Sequence, residues 1–580
     1  MNSQILGVAI MFVATLLIAV PLGKYIAKVY GGQKTWLDFI FNPIERLFFK
    51  ISRIDANKEM NWKRHLVVLL TLNLVWFFWA MFCLLNQKWL PMNPDHNPNM
   101  TPDLAWNTAI SFLVNCNLQQ YSGETGVSYF SQVFGLMFLQ FVSAGTGMAT
   151  AAVVFNALKN RTTEQLGNFY NYFLKSCTRI LLPICILVAS IHLFEGTPMT
   201  FKGMDAVTSL QGDTMHVSRG PIAAFVAIKH LGTNGGGFFG ANSAHPLENP
   251  TYFSNMVQMI VQILIPFAMV FAFGFYTNKK KLAWVFWSVM TIGFLILVIP
   301  TISAEIHGNP LITQMGISQP GGNMEGKEVR FGATASAFWS IATTVISTGS
   351  VNAMHDSFMP VSGMNMMLGM MINSFYGGVG VGFLNFFIYV ILAVFIGGLM
   401  VGRTPEFMGK KIEAREMKIA MIIALFHPFL ILAGTAIASY LTAHDTSMGW
   451  WYADAAGKGL HASGWLNNPS NHGFSEMLYQ YTSSSANNGS GFEGLADNNP
   501  FWNISTGIVL LFSRFLPIIG PVAIAGLIAK KKFIPEGGGT LKTDTGTFGL
   551  LVFAVKVIIA ALAFFPALAL GPIAEWMKMK

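Results

Sequence analysis

Charge is what this 580-residue chain has least of. Only 11% of its residues are Asp, Glu, Lys or Arg, against about a quarter in an ordinary soluble domain. A soluble chain of this length folds as several domains whose surfaces need polar cover, and too little is present. Cysteine is scarce too: Cys83, Cys116, Cys177 and Cys185 make no CxxC pair and no zinc-ligand spacing, so neither a disulfide framework nor a cysteine metal centre is supported. No HExxH occurs, and no GxxxxGK[ST]. No polar stretch is long enough for nucleotide-binding and phosphorylation domains, so the chain does not hydrolyse ATP by itself. What fills the sequence is apolar: 53% hydrophobic residues and a mean hydropathy of +0.50. The composition reads as an all-α polytopic membrane protein.

Crossing roughly 30 Å of hydrocarbon takes about 20 apolar residues. Ten runs qualify, at 4–24, 64–86, 129–156, 172–194, 252–276, 283–303, 366–400, 419–441, 503–529 and 547–575. The first lacks a basic leader and reads as a span rather than a cleaved signal. The net charge of +9 is not a nucleic-acid footprint, because the basic residues cluster between spans. Of the 36 Lys and Arg, 25 fall in alternate connections. The positive-inside bias places those connections in the cytoplasm and both termini outside.

The remaining connections, after spans two, four, six and eight, face outward and are long. Each holds an apolar stretch too short to span, at 105–114, 219–232, 333–346 and 473–484, running into a polar turn. Such a stretch beside a span is the mark of a re-entrant helix. The chain therefore reads as four copies of span, half-helix, turn and span around one pore, with an extra span at each end. The expected divisions are 1–63, 64–156, 172–276, 283–400, 419–529 and 530–580.

The four turns are the candidate site: Val114, Asn115, Cys116 and Asn117; Thr233, Asn234, Gly235 and Gly236; Ser347, Thr348, Gly349 and Ser350; and Ala486, Asn487, Asn488 and Gly489. Irregular backbone at membrane depth survives only in protein or beside water. Four such turns about one axis offer rings of carbonyls that replace the hydration shell of a monovalent cation. Glycine supplies the φ/ψ freedom to aim them, and the half-helices point the negative ends of their dipoles at the ion. A monovalent cation is then the only metal expected, as cargo, and no resident cofactor is called for. The rival reading of any one turn is an ordinary external loop. Asn-Gly at 234–235 and 488–489 is a common hairpin pair, and Asn488-Gly489-Ser490 matches a glycosylation acceptor.

Other residues carry less. Arg514 lies inside the ninth span, where a cation is costly and functional by default. Gly377, Gly378, Gly380 and Gly382 interrupt the long seventh span. Both are candidates for a block beneath the filter, with close helix packing the alternative for the glycines. His355-Asp356-Ser357 has triad letters but no triad geometry. Glu305, Glu325, Glu328 and Asp356 either steer cations on the outer face or keep loops solvated. Lys542–Thr547 is a near miss for an aspartyl-phosphate loop, lacking the Lys after its Asp.

At several long runs the chain resembles the KdpA family, the potassium-binding subunit of bacterial Kdp potassium-importing ATPases. The runs are Glu59-Met60-Asn61-Trp62, Tyr121-Ser122-Gly123-Glu124, LGTNGGGFFGANSAHPLENP (231–250), NMEGKEVRFG (323–332), Ala353–Ser357, GRTPEFMGKKIEAREMK (402–418), His472–Glu476 and FPALALGP (565–572). The resemblance implies a fold like the Trk/Ktr and potassium-channel superfamily, with the four turns as selectivity filter. It implies a P-type catalytic partner that binds ATP and Mg²⁺, small accessory membrane subunits, and the bacterial plasma membrane. The alternative is a stand-alone Trk/Ktr-like channel or symporter. One departure stands out: the family's first turn usually reads Thr-Asn-Thr-Asn-Trp-Gln, where this chain has Val114-Asn115-Cys116-Asn117-Leu118-Gln119.

Overall fold

The computed structural model describes residues 3–400, 402–447, 461–535 and 541–579. Among them, ten helices are long and apolar enough to cross a membrane. The first is Ser3–Tyr30 and the last begins at Gly546. Between them lie four repeats. The first is Trp62–Asn86, a short pore helix Pro102–Leu113, and the third span Ser131–Lys159. The second is Phe169–Phe194, pore helix Ile222–Leu231, and the fifth span Tyr252–Tyr276. The third is Lys280–His307, pore helix Gly332–Val345, and a broken seventh span. The fourth is Ala414–Ala443, pore helix Asn471–Ala486, and the ninth span Pro500–Ala529.

Polar residues at the membrane boundary start several spans. Asn61 Oδ1 accepts from Arg64 N at the second, Thr251 and Ser254 form a capping box at the fifth, and Asn499 caps the ninth. Each supplies an acceptor for an amide that the helix itself leaves unpaired.

Burial sorts the spans into two rings. The third and fifth are 89% and 83% buried over their apolar core, whereas the first, second, fourth and eighth are 22–33% buried. In every repeat the span after the pore helix is more buried than the span before it, so the later spans form the inner ring. The third span carries Ser143-Ala144-Gly145-Thr146-Gly147 on this inner course, and small residues let backbones approach closely.

Two features depart from expectation. The run 366–400 is not one long span: a helix Pro360–Ile372 ends, 373–380 is irregular, and Val381–Met400 resumes. Asn373, Tyr376, Gly377 and Gly380 all take positive φ there. The other feature is a helix, Asp38–Ser52, between the first two spans. Arg179 of the fourth span grips it, donating to Glu45 Oε1 (2.7 Å), Asp38 Oδ1 (2.7 Å) and Asn42 Oδ1 (2.7 Å). Hydropathy windows do not reveal that helix, because its apolar and polar residues average out.

Candidate functional site

The four polar turns end their pore helices in the same way. Cys116 N donates to Ser111 O (2.9 Å), Asn234 N to Lys229 O (2.7 Å), Thr348 N to Thr343 O (2.9 Å), and Asn488 N to Ser483 O (2.9 Å). The residue before each donor, namely Asn115, Thr233, Ser347 and Asn487, sits at positive φ between 48° and 64°. This is the Schellman closure, which ties off one terminal carbonyl and reverses the chain sharply. Identical closures at four places are the strongest internal repeat in the molecule.

The turns then meet in a closed ring. Gly235 N donates to Cys116 O (3.1 Å), joining the first turn to the second. A Cβ on Gly235 would lie 3.1 Å from Gly349 Cα, joining second to third. One on Gly349 would lie 2.8 Å from Gly489 Cα, and one on Gly489 would run into the Cys116 carbonyl, which closes the circle. Side chains brace the seams. Asn115 Nδ2 donates to Gly232 O and Thr233 O (both 2.9 Å), and Asn488 Nδ2 donates to Thr343 O (2.7 Å). Gln140 of the third span donates to Asn117 Oδ1 (2.6 Å) and Gly236 O (3.0 Å).

The role expected of glycine changes in detail. Gly349 and Gly489 do take positive φ, at 82° and 107°, but Gly235 and Gly236 do not. In the second turn Thr233 carries the unusual dihedral, and a Cβ is excluded at Gly235 by the backbone of the first and third turns and at Gly236 by the Phe112 ring and Asn117. In the first turn Asn117 occupies the place held by Gly235, Gly349 and Gly489, with φ at 64°. Asn488 is fully buried and engaged with the third pore helix, so Asn488-Gly489-Ser490 is no glycosylation acceptor.

The run 231–250 gains a physical explanation here. Lys229 of the second pore helix is fully buried and pairs with Glu248 (2.6 Å). It also donates to Asn242 Oδ1 (2.8 Å) and Ser243 Oγ (2.7 Å), and Asn242 Nδ2 in turn donates to Gly235 O (2.6 Å). This network braces the second turn from behind, and Gly237 is the residue whose missing side chain admits the Glu248 carboxylate. Removing one partner of a buried pair leaves an uncompensated charge costing about 3–5 kcal/mol. Glu248→Ala is therefore expected to lower the melting temperature and abolish uptake together, checked by a thermal melt of the purified protein beside a transport assay.

Beneath the ring lies the irregular segment 373–380. Val379 N donates to Thr233 Oγ1 (2.9 Å), Gly377 N donates to Val345 O (3.1 Å), and Ser347 Oγ donates to Asn373 Oδ1 (3.0 Å). Gly378 faces the second and third turns at ordinary contact distance, whereas Gly380 lies against the backbone of Gly147 in the third span, too close for a side chain. Gly382 already belongs to the first turn of the resumed helix. Arg514 is buried, with Nη2 donating to Ser143 O (3.2 Å) and no carboxylate partner among the described residues. It lines a small cavity under the ring together with Asn115, Ser347, Asn373, Asn385 and Asn487. A second space shares Asn373, Asn385 and Ser513 with that cavity and continues past Tyr389, Ile423 and His427 among the seventh, eighth and ninth spans.

The expectations for the carboxylates named above divide. Glu305 is wholly buried and pairs with Lys327 (2.9 Å), so it neither steers cations nor solvates a loop; it fixes the connection that follows the sixth span. Asp356 is buried against His472 (2.9 Å), which also binds Glu575 (2.8 Å). Burial works to depress the His472 pKa, but the hydrogen bonds to Asp356 and Glu575 override it and raise it to about 10. His472 is thus charged at neutral pH, and its contribution to stability, full below about 6.5, declines as pH rises and is gone once pH passes about 10. His355 points elsewhere, to Tyr479 Oη (2.9 Å) on the fourth pore helix, so no triad forms. Burial pushes the carboxyl of Glu493 up to about 8 and that of Asp497 up to about 7. Sequence inspection missed Lys229–Glu248 and Lys327–Glu305, because pairing across distant segments leaves no local pattern; it also passed over Lys556, although a lysine inside the apolar run 547–575 is the same signal that singles out Arg514.

The family model described as the potassium-transporting ATPase A subunit, KdpA, matches residues 9–577. The chain belongs to the KdpA family. A relative from Flavobacterium johnsoniae is 70% identical over 580 residues, covering all of both chains. One from Phocaeicola vulgatus is 57% identical over 579 residues, again at full coverage, and one from Geobacillus kaustophilus is 44% identical over 98% of each. All three are named potassium-transporting ATPase potassium-binding subunit. Among solved structures, the potassium transporter TrkH from Vibrio parahaemolyticus is similar at a TM-score of 0.48 and 14% identity, over 90% of this chain and 98% of its own.

Proposed function

We propose that this KdpA-family chain is the potassium-binding subunit of a Kdp-type ATPase. It takes K⁺ from outside into the ring made by Val114–Asn117, Thr233–Gly236, Ser347–Ser350 and Ala486–Gly489, and hands it on for ATP-driven import. The observation that carries this reading is the closed ring of four identically capped turns. Carbonyl rings of this kind strip a monovalent cation of water without trapping it on a fixed charge. ATP and Mg²⁺ bind a P-type catalytic partner, and small accessory membrane subunits complete the assembly in the bacterial plasma membrane. The basic connections lie in the cytoplasm and both termini outside. Each of 64–156, 172–276, 283–400 and 419–529 contributes one quarter of the ring, while 1–63 and 530–580 hold the flanking spans.

A stand-alone channel would carry the ion straight to the cytoplasm; we read Arg514, which lines the small cavity beside Asn115, Ser347 and Asn487, together with segment 373–380, as the block on that route. The adjoining space past Tyr389 and His427, among the seventh, eighth and ninth spans, supports delivery to a neighbouring subunit. The relatives' names accord with this reading. Binding is tested by melting the purified chain in K⁺ or Na⁺ at equal ionic strength. Potassium at about 100 times its Kd stabilises by about 2.7 kcal/mol, so a clear upward shift in K⁺ alone is expected. Equal melting in both salts would contradict selective binding.

A further inference from the structure

The tenth span, outside the four repeats, brings one charge deep into the protein. Lys556 is 1% exposed, and its ammonium donates to the carbonyl of Ser374 (2.7 Å), at the start of the irregular segment under the ring. Three ring faces surround it: Phe386 at 4.0 Å, Phe375 at 4.8 Å and Tyr389 at 5.8 Å. It has no carboxylate partner among the described residues. A cation is expensive at such a place, and packing alone would be served better by an apolar side chain. What an ammonium offers here is a charge-assisted bond to a carbonyl freed where the helix breaks, with aromatic faces replacing part of its hydration.

The bond lands at a mechanically sensitive place. Phe375 stacks on Phe553 of the same tenth span (5.9 Å) and fills the space above Gly293. A few residues on, Val379 N is held by Thr233 Oγ1 of the second turn. The segment is therefore tethered at its start to the tenth span and near its end to the ring itself.

We propose that Lys556 is a positioning residue that latches segment 373–380 beneath the ring, which gives the tenth span a part in closing the straight path. The proposal rests on the reading of that segment as the block, and the test separates the two. The assembled complex is reconstituted in vesicles, and tracer potassium efflux is measured without ATP, beside potassium moved per ATP hydrolysed. Lys556→Met keeps length and removes the charged donor; it is expected to raise efflux roughly tenfold or more and to lower the coupling ratio. Lys556→Arg, which restores a charged donor, is expected to recover most of the tightness, a rescue that a packing role would not require. Deletion of 377–380 serves as the control. If the deletion leaks and Lys556→Met stays tight, the latch is overturned while the block stands. If the deletion itself stays tight, the block fails and the latch with it. Should Lys556→Met not assemble, Phe386→Leu removes the nearest ring face; a leak of a few-fold supports the latch, and a tight variant overturns it.

Discussion

Gly349→Asp is expected to abolish potassium uptake at micromolar supply. Three penalties coincide at this residue. Its φ of 82° is one that residues with a Cβ rarely adopt, costing on the order of 1–3 kcal/mol. The new Cβ would drive into the Asn488 carbonyl and lie 2.8 Å from Gly489 Cα, displacing the fourth turn as well as the third. The carboxylate would add a fixed charge to a ring built from dipoles, where tight capture opposes release. Gly489→Asp, at φ 107° against the Cys116 carbonyl, is expected to be as severe. Gly235→Asp is expected to be milder in backbone strain, since its φ is not positive, yet still to raise the potassium concentration required. Uptake against external potassium checks the series, and wild-type uptake in all three variants would remove the ring from the account.

Arg514→Ala is expected to turn the complex leaky, and shortening 377–380 to do the same by a separate route. On the proposed reading, a cation descending from the ring would meet the Arg514 guanidinium, which lines one cavity with Asn373 and Asn385. Away from bulk water, repulsion between two such charges is several-fold stronger than in solution. An importer working against a gradient needs that barrier, because an open path would let potassium run out whenever external supply is low. The measurement is tracer efflux from vesicles without ATP. Rapid efflux in each variant, with ATP hydrolysis continuing uncoupled, is the expected result. Tight vesicles and normal ATP-driven uptake in both would reduce Arg514 to a structural charge.

Much of this architecture was legible because membrane physics writes it in runs. Twenty apolar residues make a span, and ten to fourteen leading into Asn, Thr and Gly make a pore helix and its turn. The ring residues could be named for the same reason. Their conformations could not: nothing local tells that Thr233 and Ser347 bend backward while Gly235 serves for proximity, since that depends on which turn lies beside which. The break at 373–380 was visible as a glycine cluster, but hydropathy alone drew one continuous span across it. Least visible were the buried ions. Lys229, Glu248, Glu305, Lys327 and Arg179 look like ordinary charges in sequence, and only the fold brings each to its partner; Lys556 stands out inside an apolar run, but its partner, the Ser374 carbonyl, does not.

The central claim is that four turns bind one kind of cation on a shared axis. Thallium substitutes for potassium and scatters anomalously, so diffraction from crystals grown in a thallium salt locates the ion directly. The account predicts a peak enclosed by the backbone of Cys116, Gly235, Gly349 and Gly489, kept when excess sodium is added to the thallium salt and lost when potassium competes. A ring empty of thallium, with the peak instead among Asp356, His472 and Glu476 on the outer face, would contradict it.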